Sequence, residues 1–256
     1  MSSDTTTLAN PVTFDAILQN ARELKGYLRS ESDEIEQTGC LTPDVLSRLI
    51  DAGVFRMSMP SDWGGPSLSS LEQLKPIEAL SEANASVAWS VMRGSDAGLY
   101  AGFLDDQIAR DLYPHLDMVQ SGSIIPAGIA EEVEGGFKVS GEWRYCSGAK
   151  YADMIGVACR VLRNSHPVLD AEGIPESRMV LAPSAHWKLL EGNSMTGLRG
   201  TASHSLTTVS EYLVIPREHT FSIAYPQRQG PLYAGPDATL LKMAGVPLGT
   251  ARGMLD

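Results

Sequence analysis

The chain is short of the residues that mark several function classes. It has only three cysteines, Cys40, Cys146 and Cys159, odd in number, widely spaced and without a CxxC pair. That excludes a disulfide frame and a cysteine zinc site, and it implies reduced thiols in the cytoplasm. Basic residues are outnumbered, with 20 Lys and Arg against 31 Asp and Glu and a formal charge of −11. No basic stripe is present, which argues against a nucleic-acid partner, because phosphate binding needs clustered cations. No stretch reaches the roughly 20 apolar residues of a membrane span. The N-terminal MSSDTTTLANP lacks the basic-then-apolar pattern of a signal peptide. His115, His166, His186, His204 and His219 stand singly, without metal-ligand spacing, so no metal is expected. There is no P-loop motif, internal repeat or low-complexity segment.

What is there reads as a soluble globular protein, with 43% hydrophobic and 20% charged residues. The first half is helical. Phe14, Ile17, Leu18, Ala21, Leu24 and Leu28 follow the rhythm of one apolar helix face. A second helix is punctuated by Thr42 as cap, Pro43 at the first position and Gly53 at the end, around Val45, Leu46, Leu49 and Ile50. A helical region follows from about Leu71 to Leu112, interrupted near Pro76 and Gly94 and closed by Pro114. The period then becomes strand-like: a hairpin turning at Gly135-Gly136, then MIGVACRVL, RMVLAPS and HSLTTVSEYLVIP, with NSHPVLDAEGIPES as an exposed loop. Strands without intervening helices suggest a compact antiparallel barrel or sandwich. From about Ala238 a helical stripe returns at Leu240, Leu241, Ala244, Leu248 and Ala251. It stops in mid-pattern with nothing to pack against, as in the first two-thirds of a longer protein.

Three motifs have bland readings. Gly245, Gly249 and Gly253 have no preceding strand, so they imply close helix packing and no dinucleotide site. Ser147 and Lys150 match the SxxK pattern of serine acyl-transferases, but its companion motifs are absent. Trp89, in NASVAWSVM, lies on an apolar helix face and by itself reads as core. GEWRYCSG (141–148) is harder to dismiss, because two aromatic residues lead directly into a hydroxyl and a glycine.

Helices, then a small β domain, then helices form an order with few common homes. GFKVSGEWRYCSGAKYADMIGVACRV, followed at a distance by TGLRGTASHSLTTVSEYLVIP, resembles the middle β domain of the acyl-CoA dehydrogenase superfamily. LIDAGVFRMSMPSDWGGPSLS resembles its N-terminal helical domain, and LLKMAGVPLGTARGMLD the opening of its C-terminal bundle. The resemblance implies an α+β multidomain chain: helices over 1–117, a β-barrel over 118–225, and the start of a truncated helical domain over 226–256. Dehydrogenase members carry T-E-P, G-S-D and W-[IT]-[ST]-N-G stretches. The first aligns with Ile124-Ile125-Pro126-Ala127-Gly128, which lacks the threonine and glutamate, and no G-S-D follows. The third aligns with Tyr145-Cys146-Ser147-Gly148. This form looks more like the oxygenase components of two-component flavin-dependent monooxygenases.

That resemblance implies FAD or FMN supplied in reduced form by a separate flavin reductase, and hydroxylation of an aromatic or related small molecule with O2. It makes Ile124, Pro126, Tyr145, Cys146, Ser147 and Gly148 the cofactor-binding residues, with Ser147 near flavin N5. It assigns Trp89, Asp96 and Ile125 to the substrate pocket. Catalytic acid–base residues are expected in a bundle beyond this chain, which would also build a homotetramer. The alternatives are an acyl-CoA dehydrogenase that oxidises a CH–CH bond with FAD, and a degenerate, non-catalytic flavin-fold protein.

Overall fold

A computed structural model describes residues 12–190, 195–234 and 240–255. The first apolar stripe is broken into three short helices, α1 (Phe14–Glu23), α2 (Lys25–Ser30) and α3 (Ser32–Thr38), yet Ile17, Ala21, Leu24 and Leu28 still share one core. The next helix, α4 (Pro43–Asp51), is closed at its N-terminus by the Thr42 hydroxyl and followed by Gly53 in the left-handed region. Beyond it run α5 (Ser70–Ser81), α6 (Ala85–Gly94), α7 (Ala97–Ala101) and α8 (Asp106–Leu112). Pro76 does not interrupt this region but lies inside α5. A reciprocal Ser69–Glu72 capping box and packing against neighbouring helices offset the one backbone bond that the proline removes. The breaks fall elsewhere, one of them at Asn84, whose side chain accepts from Ser86 and Val87 N–H to start α6.

Among the described residues ten strands follow: β1 (Gln120–Val133), β2 (Gly136–Ser140), β3 (Glu142–Cys146), β4 (Met154–Arg163), β5 (His166–Pro167), β6 (Ser177–Pro183), β7 (Trp187–Leu190), β8 (His204–Thr208), β9 (Leu213–Pro216) and β10 (Thr220–Phe221). They form a seven-stranded sheet, β10-β6-β4-β1-β2-β9 with β5 beside β4, and a three-stranded sheet, β3-β8-β7. Pairing is antiparallel except between β1 and β4, which run parallel; a reading of adjacent hairpins alone misses this pair. HSLTTVSEYLVIP is two strands, β8 and β9, in different sheets, and NSHPVLDAEGIPES contributes β5. Phe137, Val139, Trp143, Val157, Val180 and Leu206 fill the space between the sheets.

The last helix, α9 (Gly245–Gly253), corrects the expected stripe. Leu240, Leu241 and Leu248 are exposed, whereas Gly245 and Gly249 are buried. A Cβ added at Gly245 or Gly249 would come within 2.7 or 2.1 Å of carbonyl oxygens of α5. The helix therefore docks through its glycines, backbone against backbone, and the leucines are left outward. It does have something to pack against.

Candidate functional site

The site grows from an irregularity in β3. Trp143 is fully buried, donates its indole N–H to the Ala158 carbonyl at 2.8 Å, and meets Trp187 edge-on at 5.5 Å. In an unbroken strand Tyr145, two residues on, would share that inward face. The register with β8 shifts between Trp143 and Cys146, and Tyr145 adopts φ 59°. Its ring is consequently 62% exposed. A bulky residue held in the left-handed region costs on the order of 1–3 kcal/mol, and such strain clusters at ligand sites.

A second irregularity lies in β1, where pairing with β4 shifts between Ser123 and Gly128. Ile124, Ile125, Pro126 and Ala127, still within β1, drop out of the pairing with β4 and are exposed. The far end of this bulge rests on Trp143, whose Cζ2 would lie 2.0 Å from a Cβ at Gly128. Just before the bulge, Ser121 Oγ donates to the Ser147 carbonyl at 2.6 Å. Both ends of the apolar strip are thus tied to the Trp143–Ser147 segment that carries Tyr145. Gly148 follows at φ 78°, and its N–H donates to the Thr201 carbonyl at 2.9 Å.

Behind this rim runs a chain of hydroxyls. Trp89 of α6 donates its indole N–H to Ser147 Oγ at 2.9 Å. Ser147 Oγ lies 2.7 Å from Ser203 Oγ, and Ser203 Oγ lies 2.7 Å from Thr201 Oγ1. Thr201 donates in turn to the Leu198 carbonyl at 2.7 Å. A carbonyl can only accept, and each hydroxyl has one proton. Among the described residues, these bonds can form together in one direction only: Trp89 to Ser147, Ser147 to Ser203, Ser203 to Thr201, Thr201 to Leu198. The Ser147 proton is committed inward, and its oxygen keeps one lone pair. With all four bonds formed, Ser147 accepts from a ligand and does not donate to it.

The remaining sequence candidates fall on both sides of this geometry. The Cys146 side chain is in the core, and burial pushes its thiol up to about 12, so only its backbone is available to a ligand. Asp96 is not part of the hydroxyl chain. It is buried, pairing with Arg93 of α6 at 3.0 Å and with Lys242 at 2.8 Å. The Lys242 ammonium also donates to Gln73 and Ser95, and burial pushes its pKa down. Arg199 pairs with Glu36 at 3.5 Å and lines a cavity of about 280 Å³ with Thr38, Ser203 and His204. Burial and then Lys150 push His204 down, towards its neutral form. Sequence reasoning missed Ser121, Thr201, Ser203, Arg93 and Lys242. The available signals were the small polar run TASHS and single cations within apolar helical stretches.

An exposed apolar strip beside an acceptor-only hydroxyl, with a glycine clearing the backbone, fits the edge of a flat heteroaromatic ring carrying an N–H. Residues 15–107 match the model of the acyl-CoA dehydrogenase N-terminal domain. An indole-3-acetate monooxygenase of Acinetobacter baumannii is 30% identical over 96% of this chain and 60% of its own length. The oxygenase subunit HsaA of a flavin-dependent monooxygenase from Rhodococcus jostii is 24% identical over 80% of this chain and 52% of its own. The crystal structure of 3-HSA hydroxylase from Rhodococcus sp. RHA1 superposes with a TM-score of 0.83 at 22% identity, covering 93% of this chain and 64% of that one. The chain thus spans between half and two thirds of the relatives' length. Residues 15–107 are thus similar to the acyl-CoA dehydrogenase N-terminal domain, and nearly the whole chain to flavin-dependent monooxygenases.

Proposed function

We propose that this chain is the N-terminal and middle part of the oxygenase component of a two-component flavin-dependent monooxygenase. One observation carries the reading: Ser147 is available to a ligand only as a hydrogen-bond acceptor. Reduced flavin has a proton on N5 that such an oxygen accepts, whereas oxidised flavin offers a lone pair there and would be repelled. A dehydrogenase begins its cycle with oxidised flavin; an oxygenase fed by a reductase begins with reduced flavin. The direction of the hydroxyl chain favours the second.

When bound, reduced flavin supplies two electrons to O2, so that one oxygen atom enters the substrate as a hydroxyl and the other leaves as water. The chain's residues bind and shield. Ile124, Ile125 and Pro126, with the Tyr145 ring, would form the apolar wall against the ring system and keep water from it. Ser147 would hold the N5 proton, Gly148 would give clearance, and Cys146 would contribute backbone only. Trp89 and Ile125 would border an aromatic or related small substrate. A flavin reductase is the implied partner. Cytoplasmic location rests on the three unpaired cysteines, and a homotetramer on the apolar side chains that α9 leaves outward.

The test is anaerobic titration of the intact protein with reduced and with oxidised flavin, followed by exposure to O2 with substrate. Reduced flavin should bind at least about tenfold more tightly, the worth of one charge-independent hydrogen bond against a repulsive contact. Ser147→Ala should narrow that gap and raise the share of oxygen that ends as hydrogen peroxide. Equal affinity for the two redox forms, or bleaching of bound oxidised flavin by an acyl-CoA, would instead support the dehydrogenase.

A further inference from the structure

The hydroxyl chain ends in a turn with an unusual backbone. Leu198 and Ala202, neither of them glycine, adopt φ 52° and 47° on either side of the short turn Arg199–Thr201. Two such residues so close together are costly, and they persist only where the surrounding structure over-determines them. Here it does. The Ala202 N–H donates to the Gly39 carbonyl, just past α3, at 3.1 Å, and the Thr201 carbonyl accepts from Gly148 at 2.9 Å. Between them Gly200 is buried, and a Cβ there would lie 2.2 Å from Ile35 Cγ2 of α3 and 3.0 Å from Ser86 Cβ of α6. The turn is wedged between two helices and tied to the segment that carries Tyr145 and Ser147.

What this turn presents to the chain is an acceptor. The Leu198 carbonyl receives the proton of the buried Thr201 hydroxyl, so the Thr201 oxygen faces Ser203 as an acceptor. Ser203 in turn faces Ser147 as an acceptor. The direction of all three hydroxyls is therefore decided at the carbonyl end. Trp89, at the other end, is not equivalent. Its indole N–H only donates, and Ser147 Oγ can receive it whichever way the Ser147 proton points. A side chain without a hydroxyl at position 201 lifts the constraint. The Ser203 proton can then turn to Ser147, which accepts twice, from Trp89 and Ser203, and presents its own proton outward. Loss of the Trp89 donor leaves the constraint in place.

We propose that Thr201 is the positioning residue that makes Ser147 an acceptor towards its ligand, and that the strained Leu198–Ala202 turn holds Thr201 in that task. This deepens the oxygenase reading above and rests on it. Thr201 acts through Ser203 and Ser147 without itself reaching the ligand. It thereby sets which redox form of flavin the site prefers.

The test is anaerobic titration of the intact protein, without substrate, with reduced and oxidised FMN and again with FAD, together with the midpoint potential of the bound flavin. The unaltered protein should bind the reduced form at least about tenfold more tightly. That difference raises the two-electron midpoint potential by about 30 mV over free flavin. Thr201→Ser keeps the hydroxyl and should keep the preference. Thr201→Val removes the hydroxyl at nearly equal volume, and should bring the two affinities within about twofold or invert them, with a matching fall in potential. Thr201→Ala makes the same test should the valine variant fail to fold. Trp89→Phe breaks a bond of the same chain at its far end and should retain the preference for the reduced form. A preference that survives the loss of the Thr201 hydroxyl overturns the proposal and leaves the oxygenase reading standing. An equal loss in Trp89→Phe overturns it too, since any broken bond would then suffice. Equal affinity of the unaltered protein for the two redox forms, or no flavin binding, removes both readings together.

Discussion

One helix face of α6 supports two polar regions built on opposite principles. Around Trp89 every group is neutral, and the hydrogen bonds run in a single direction through Ser147 and Ser203 to the Leu198 carbonyl. Around Arg93 the groups are charged and the pairs are not balanced. A neutral chain sets which atom donates and which accepts, at low desolvation cost. A buried ion cluster sets a field, and it is expensive to leave incomplete. The first suits recognition of a ring by its protonation, the second the fixing of Lys242 against the end of α6.

The contrast can be broken from either side. The largest effect should come from Asp96→Asn, which leaves Arg93 and Lys242 buried without a counter-ion. It should cost about 3–5 kcal/mol in equilibrium denaturation. Lys242→Met keeps the Arg93–Asp96 pair and should cost clearly less, and the reverse order would disprove the charge count. On the neutral side Trp89→Phe removes one donor and leaves Ser147 short of a partner. About 1 kcal/mol of stability should be lost.

Tyr145→Gly sharpens the comparison by separating strain from function. It relieves a left-handed conformation at a site 62% exposed, where the ring contributes little packing. Stability should rise by up to about 1 kcal/mol, after the entropy of the new glycine is counted, while flavin affinity falls. The smallest effect concerns the thiols. Burial pushes Cys146 and Cys159 each up to about 12, and Cys40 is raised as well. At pH 8 the folded protein should react with a maleimide far more slowly than the unfolded chain, because the thiolate is both scarce and enclosed.

The order of helices and strands was legible because the apolar period changes from 3.6 to 2 near residue 118. Thr42, Pro43 and Gly53 act locally, and their roles could be read directly. What escaped were features set by tertiary contacts. Tyr145 alternates with Trp143 in the sequence as if both faced one way, and only the register slip against β8 turns it out. Ser147 was visible as a hydroxyl in the right place, but its partners lie 58 residues before it and 56 after it. Lys242 sits amid leucines and was passed over, because sequence gives no sign that a lysine 172 residues after Ser70 will be buried against it. The α9 stripe was misread for a related reason: counting apolar side chains cannot detect a contact made by having none.

That last contact has a consequence for how the molecule can change. Because α9 is seated on α5 by main-chain proximity at Gly245 and Gly249, with Arg252 paired to Glu78, its exposed apolar side chains carry no duty in holding it there. Leu248 and its exposed apolar neighbours can be exchanged for polar residues without unseating the helix, so their composition answers to solubility and company, not to folding.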